Sequence, residues 1–90
     1  MPFEWDDHNE PRLLLQHNVS ALEAEQCFSN PHSIRKAGSD YLLLGRTDWD
    51  RLLLIVFERK TGALIRIYSA REMTLKERRV YRRLVGAAVG

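Results

Sequence analysis

Hydrophobic and polar residues alternate in the last third of the chain, and this alternation predicts a β-strand. Along Leu64–Tyr68 the two isoleucines face one way, whereas Arg66 and Tyr68 face the other. The alternation ends at Ser69-Ala70-Arg71, which we interpret as a corner. The predicted strand therefore has one apolar face and one basic, aromatic face.

A basic helix is predicted directly after this corner. Thr74 and Glu77 have the spacing of a capping box, in which both side chains accept hydrogen bonds from free backbone N–H groups. The apolar side of the helix holds Val80, Tyr81, Leu84 and Ala88, and the opposite side carries Lys76, Arg78, Arg79, Arg82 and Arg83. Glu77 falls within the apolar side. That position suits a carboxylate folded onto the cap, or one paired with an arginine from the sheet.

Two helices are predicted near the start of the chain, after a short strand at Phe3-Glu4-Trp5. The first helix runs to about His17, and the candidates for its cap are Asp6, Asp7 and Asn9. The second helix begins at a capping box, Ser20-Ala21-Leu22-Glu23, and ends at Ser29-Asn30-Pro31. Its predicted buried positions are Leu22, Ala24, Cys27 and Phe28.

The middle of the chain predicts a hairpin of two strands, Tyr41–Gly45 and Leu52–Phe57. The second strand is apolar on both faces and is predicted to lie in the middle of the sheet. A turn at Lys60-Thr61-Gly62-Ala63 leads into the next strand, and residues 32–40 allow a short edge strand without requiring one. We therefore predict an α+β fold, with a small antiparallel sheet covered on one face, two N-terminal helices and a C-terminal basic helix.

Length and composition indicate a single domain spanning residues 1–90, because 90 residues support only one hydrophobic core. The N-terminus has no signal-peptide pattern, and the longest apolar run is too short to cross a bilayer. We therefore expect a cytoplasmic protein without a membrane partner. Cys27 is the single cysteine, so an internal disulfide is excluded and a buried thiol is expected.

Charge is distributed unevenly along the chain although the net charge is only +2. Residues 1–45 carry three basic and seven acidic side chains, whereas residues 46–90 carry eleven basic and five acidic side chains. The second half is therefore positive, which suggests a surface that attracts phosphate. A solvated helix face is the alternative interpretation.

Several motifs together resemble the BrnT-type ribonuclease toxins. The first are Phe3-Glu4-Trp5-Asp6, His17 with Val19-Ser20, and Gly45 with Arg51-Leu52-Leu53. The most specific is Ile65-Arg66-Ile67-Tyr68-Ser69-Ala70-Arg71, followed by Glu77-Arg78 and Tyr81, and the resemblance extends from about Phe3 to Arg83. It implies a RelE-like fold and an endoribonuclease toxin that inhibits translation.

The same resemblance implies a partner, a small DNA-binding antitoxin of the ribbon-helix-helix type that neutralises the toxin. Operator DNA would then be contacted only through the antitoxin. Either a homodimer or a toxin–antitoxin hetero-oligomer is compatible with the sequence. Relatives carry basic residues where this chain has Asn9 and Gln16, and Glu-Arg where it has Ser39-Asp40. These departures support an alternative, a binding module of the same fold with weakened or lost cleavage.

Metal-independent RNA cleavage requires a base for the 2′-hydroxyl, cations for the phosphate and an acid for the leaving oxygen. Arg66 and Arg71 are the predicted cations, because the guanidinium fork matches phosphate oxygens. His17 is a candidate base or acid, and Tyr68 is predicted to stack on a base or donate a proton. The alternatives are a salt bridge from Arg66 to Glu77 or Glu58, and a helix-capping role for His17.

The remaining basic residues are assigned to outer contacts. Arg46, Arg78 and Arg79 are the predicted RNA-binding residues, and Arg79, Arg82 and Arg83 are the predicted contacts with the antitoxin. The sequence has no zinc signature, glycine-rich phosphate loop or nucleophile elbow. We therefore expect neither a metal nor a cofactor. A nucleic-acid-binding domain without a protein partner is a weaker interpretation that depends on the basic helix alone.

Overall fold

The computed structural model describes residues 2–86 and has the predicted α+β class. Its helices and strands are α1 (Asn9–His17), α2 (Ala21–Ser29), β1 (Ser33–Ala37), β2 (Asp40–Arg46), β3 (Leu52–Lys60), β4 (Leu64–Glu72) and α3 (Leu75–Tyr81). A 3₁₀ turn, Thr61–Ala63, joins β3 to β4, and a π-helical turn, Arg82–Gly86, continues α3. Both predicted capping boxes are present, at the starts of α2 and α3.

The four strands form one antiparallel sheet in the order β1-β2-β3-β4. Strand β3 lies between β2 and β4, which confirms its predicted central position. The edge strand that the sequence left open is β1, and its partner is β2. A tight turn connects them, because Gly38 adopts a φ of 64° that glycine tolerates without strain.

Helices α1 and α2 cover one face of the sheet and form the main core there. The helices and the linker between them contribute Leu13, Val19, Ala24, Cys27 and Phe28, and the strands contribute Leu43, Leu53, Ile55, Phe57, Ile65, Ile67 and Ala70. Burial of Cys27 is thus confirmed. The prediction for Leu22 is wrong, since its side chain is 65% exposed. Residues three and four positions apart in α2 turn toward the sheet, and Leu22 lies outside that arc.

Helix α3 packs on the opposite face of the sheet and at one end only. Its buried residues Tyr81 and Val85 contact Leu44 and Leu52, together with Met73. The prediction that helices cover a single face is therefore incomplete. Leu84 belongs to the predicted apolar side of the helix, but its side chain is exposed. The wide π-helical turn places Val85 in the core instead, and Ala88 lies outside the described residues.

Strand β4 does not end at the predicted corner but continues to Glu72. Ile67 pairs with Phe57 and Ser69 pairs with Val56, so Tyr68 is the extra residue of a β-bulge. The bulge shifts the alternation by one residue. As a result, Ala70 joins the buried face, and Arg71 lies on the same open face as Arg66.

The N-terminal segment lies beside β4 and is held there by backbone and side-chain hydrogen bonds. Phe3 forms a parallel bridge with Ile65, in place of the predicted short strand. The buried Asn9 amide donates to the Glu4 carbonyl at 2.9 Å and to the Ile67 carbonyl at 3.4 Å. Of the predicted caps, the Asp6 carboxylate accepts hydrogen bonds from the backbone at the start of α1.

Candidate functional site

Strand β4 presents three of the predicted catalytic side chains on the sheet face that α1 and α2 leave open. Arg66 precedes the bulge, Tyr68 occupies it and Arg71 follows it. Arg71 pairs across the sheet with Leu54, close to α3, whereas Arg66 pairs with Glu58 farther along the strand. The two arginines therefore share a face but lie at separate places on it, each with its own carboxylate partners.

Arg66 is held by two carboxylates of the N-terminal segment. Its Nη1 donates to Glu4 Oε1 at 2.9 Å and to Asp6 Oδ2 at 2.8 Å, and its side chain is 19% exposed. The predicted alternative of an ion pair is therefore observed, but neither Glu77 nor Glu58 is the partner. The hydrogen bond from Arg66 holds the pKa of Asp6 well below its usual value. Hydrogen bonds from Lys60 and, with a smaller effect, from Arg66 lower the pKa of Glu4.

Arg71 forms a two-pronged ion pair with Glu77 at the start of α3. Nη1 donates to Oε1 at 2.8 Å, and Nη2 donates to Oε2 at 2.9 Å. The same carboxylate accepts the backbone N–H of Thr74 at 2.8 Å and so completes the capping box. Both predicted positions for Glu77 are thus confirmed. Mainly because of Arg71, the pKa of Glu77 is lowered to about 2.

Tyr68 is an exposed aromatic residue on the open face, with 38% of its surface accessible. The Glu58 carboxylate beside its hydroxyl raises the pKa of Tyr68, mainly through a hydrogen bond. Because Glu58 also pairs with Arg66 across the strands, these three side chains form one small polar group at this end of the sheet. The aromatic ring of Tyr68 is accessible there to a ligand.

His17 does not lie on the open face of the sheet. It is the last residue of α1, half-buried in the layer of helices that covers the other side of the sheet. The fold therefore does not bring its imidazole to the open face with Tyr68 and Arg71, and its catalytic role remains a prediction. The end of α1 is capped by the backbone of Asn18, whose left-handed conformation brings its N–H to the carbonyls of Leu13 and Leu14.

A groove of about 530 Å³ runs between α3 and the open face of the sheet. Its floor is aliphatic and consists of Leu42, Leu44, Leu54, Val80 and Leu84; its polar rim consists of Ser33, Arg35, Arg71, Thr74, Lys76 and Glu77. Sequence reasoning did not single out Arg35, and it treated Lys76 only as one of five basic residues on the surface of the helix. Their proximity depends on the pairing of β1 with β2, which the sequence left undecided.

The other predicted basic contacts lie at the margins of this surface. Arg46 ends β2 and approaches Asp50 at 3.6 Å, and Arg78 lies 4.0 Å from Glu72. Arg79 is exposed on α3, and Arg82 and Arg83 are exposed on the π-helical turn. The predicted RNA contacts and the predicted antitoxin contacts thus fall on neighbouring parts of the same side of the molecule.

Arg51 has a structural importance that sequence reasoning missed. Its Nη1 donates to the Asn18 carbonyl at 2.7 Å and to Glu23 Oε2 at 3.1 Å, while Nη2 reaches Glu72 at 3.5 Å. One guanidinium therefore connects the end of α1, the cap of α2 and the end of β4. Its position directly before strand β3 gave no sequence signal for these distant partners.

Within residues 2–86, no group of three or more His, Cys, Asp or Glu side chains has an arrangement that would hold a metal ion. Burial raises the pKa of the Cys27 thiol to about 12, so this cysteine is not a reactive thiolate. Among the described helices, none combines the length and apolar character needed to cross a membrane.

Comparison with known proteins identifies the family of this chain. The sequence model of the family described as "Ribonuclease toxin, BrnT, of type II toxin-antitoxin system" matches residues 5–77. The matched region includes all of the sheet, both N-terminal helices and the Arg71–Glu77 ion pair. A search of curated proteins gave no match. Because the match covers most of the chain, this protein belongs to the BrnT family of ribonuclease toxins from type II toxin–antitoxin systems.

Proposed function

We propose that this chain is an endoribonuclease toxin that cleaves RNA without a metal ion and thereby inhibits translation. The observation that carries the proposal is the family match over a sheet whose open face displays Arg66, Tyr68 and Arg71. RNA cleavage by transfer to the ribose 2′-hydroxyl requires a base that takes the hydroxyl proton, positive charge at the phosphate and a proton for the leaving oxygen. Arginine side chains supply the charge and tyrosine supplies the proton, and His17 is the candidate for the base.

In this mechanism the two arginines bind successive parts of the RNA backbone. Arg66 and Arg71 remain charged at any working pH, and each carboxylate partner fixes the orientation of its guanidinium. A phosphate must therefore use the remaining N–H donors or displace the carboxylate. Tyr68 keeps its proton at neutral pH, because the ordinary pKa of tyrosine is already 10.0 and Glu58 raises it further, so Tyr68 acts as a proton donor or stacks on a base. Arg46, Arg78 and Arg79 contact outer phosphates.

Cleavage of a single-stranded RNA in EDTA tests this proposal. Replacing Arg66 or Arg71 by alanine should lower the rate by roughly a hundredfold to a thousandfold, the usual effect of losing one transition-state donor. Arg12→Ala, an exposed change on α1, is the matched control. Because Arg71 also anchors α3, circular dichroism must first establish that each variant is folded. Undiminished cleavage in both arginine variants, or a strict magnesium requirement, would contradict the mechanism.

His17→Ala tests the fourth predicted catalytic residue in the same assay. A general base or acid contributes about a hundredfold to ten-thousandfold to a rate, and its removal changes the pH profile. A variant that retains both the rate and the pH profile of the parent would exclude His17 from the reaction. Its imidazole would then have only a structural role, at the end of α1.

A second candidate function is a binding module that retains the fold but does not cleave RNA. The ion pairs of Arg66 with two carboxylates support it, because they reduce the positive charge available to phosphate. Asp40, at the start of β2, adds negative charge near Tyr68. Partner binding without measurable cleavage would favour this function, and recovery of cleavage in Asp40→Arg would identify that residue as the cause.

The proposed protein partner is a small DNA-binding antitoxin of the ribbon-helix-helix type, so that operator DNA is bound only through the antitoxin. Exposed Arg79, Arg82 and Arg83 give α3 and its π-helical turn a basic surface that attracts an acidic one. Arg79→Glu combined with Arg83→Glu should lower the association rate, and the effect should weaken at high salt. Cleavage that falls as much as association would instead assign this surface to RNA.

A further inference from the structure

We infer that the groove between α3 and the open sheet face is the docking site for a short antitoxin segment that combines aliphatic and acidic side chains. This inference rests on the proposed toxin–antitoxin function and adds the surface and the chemistry of its partner. The groove is lined by α3, β1, β2, β3 and the end of β4, and it is separate from the outer basic surface at Arg79, Arg82 and Arg83.

The floor of the groove favours a protein segment over a nucleic acid. Every side chain on that floor is aliphatic, from the sheet as well as from α3, and no aromatic residue lines the groove. Sequence-tolerant binding of single-stranded RNA uses aromatic rings on which bases stack. Aliphatic side chains gain most when another apolar surface removes them from water, at roughly 25 cal/mol per Å² buried. The floor therefore fits leucine-like side chains.

The rim of the groove supplies the complementary charge. Arg35 on β1 and Lys76 in the first turn of α3 are exposed, and within residues 2–86 neither has a carboxylate within 4.0 Å. Arg71, on the same rim, is already paired with Glu77. Two cations without carboxylate partners beside an aliphatic floor match a segment in which acidic and aliphatic residues are interspersed. A segment in this position would also cover Arg71 and so exclude RNA from a predicted catalytic cation.

The experiment uses the full chain and a defined probe, a short synthetic peptide of alternating leucine and glutamate. Amide chemical shifts of the isotopically labelled protein report where the peptide binds. We expect shifts at groove residues such as Ser33, Leu42 and Leu54, and none on the outer surface of α1. A peptide of alternating leucine and lysine should not bind, because its charge has the opposite sign.

Charge reversals at the rim distinguish docking in the groove from nonspecific electrostatic attraction between the peptide and the protein. Lys76→Glu and Arg35→Glu should each weaken the leucine–glutamate peptide by about tenfold or more, whereas Arg12→Glu, with the same charge change on α1, should leave its affinity unchanged. We expect the Lys76→Glu variant to fold, because a negatively charged carboxylate in the first turn of α3 interacts favourably with the helix dipole.

Three results would overturn the inference: peptide shifts outside the groove, equal affinity in all charge variants, or a single-stranded RNA that shifts the groove amides in place of the peptide. RNA cleavage by the same samples is measured separately. Peptide docking in a protein that does not cleave RNA supports the groove assignment and contradicts only the ribonuclease proposal. Cleavage without any peptide docking supports the ribonuclease proposal and contradicts the groove assignment.

Discussion

The guanidinium of Arg71 and the carboxylate of Glu77 are joined by parallel hydrogen bonds of 2.8 and 2.9 Å across the junction between β4 and α3. The same carboxylate accepts the N–H of Thr74. The side chain of Glu77 therefore both caps the start of α3 and attaches this helix to the sheet. Arg71, predicted from the sequence as a catalytic cation, also has this structural role, and its two roles must be separated in any experiment.

Arg71→Ala should lower the free energy of unfolding by about 1 kcal/mol, because charged hydrogen bonds are lost at a partly exposed site. Urea unfolding measures this change, with Arg12→Ala as the exposed control. An Arg71→Ala protein as stable as its parent would contradict a structural role. In that case any loss of cleavage would be due to the missing cation alone.

Stability should fall in acid partly because of Glu77. Its pKa is about 2 in the folded chain, against a usual value of 4.5, mainly because Arg71 stabilises the charged carboxylate. A lowered pKa favours folding above about pH 4.5, and that contribution disappears as the pH falls toward 2. Urea midpoints measured across this range should vary less with pH in Glu77→Gln than in the parent. Identical pH dependence in the two proteins would contradict this account.

Gly45→Ala should destabilise the fold by about 1–3 kcal/mol, the usual result of adding a methyl group to a tightly packed site. A Cβ at Gly45 would lie 2.9 Å from the Cys27 carbonyl oxygen, and this backbone atom of α2 cannot move aside by changing a rotamer. Gly86→Ala is the matched control, since its nearest contact would be 3.7 Å. Thermal unfolding of both variants gives the comparison, and equal melting temperatures would show that α2 can shift.

Arg51→Met should lower the free energy of unfolding by about 1–3 kcal/mol, because it removes charged hydrogen bonds that connect three elements. Methionine preserves much of the aliphatic stem, so the change isolates the guanidinium. Arg12→Met on the exposed side of α1 serves as control. If urea unfolding gave the same free energy for both variants, the contacts of Arg51 would contribute nothing measurable to stability.

Features that arise within a few residues could be predicted from the sequence. The capping boxes beginning at Ser20 and Thr74 require only a hydroxyl and a carboxylate three positions apart, and both are present. The continuous apolar run Leu52–Phe57 was sufficient to predict a central strand that is apolar on both faces. The family was also accessible from sequence, because the resemblance was carried by short contiguous strings, and the family match covers residues 5–77.

Contacts between groups that are distant along the chain could not be predicted in this way. The sequence offered Glu77 or Glu58 to Arg66, but its partners are Glu4 and Asp6, about sixty residues away along the chain. The bulge at Tyr68 and the groove between Arg35 and Lys76 depend on strand pairing in the same way. Local spacing fixes caps and strand faces, whereas an ion pair or a groove exists only after packing has placed separate elements side by side.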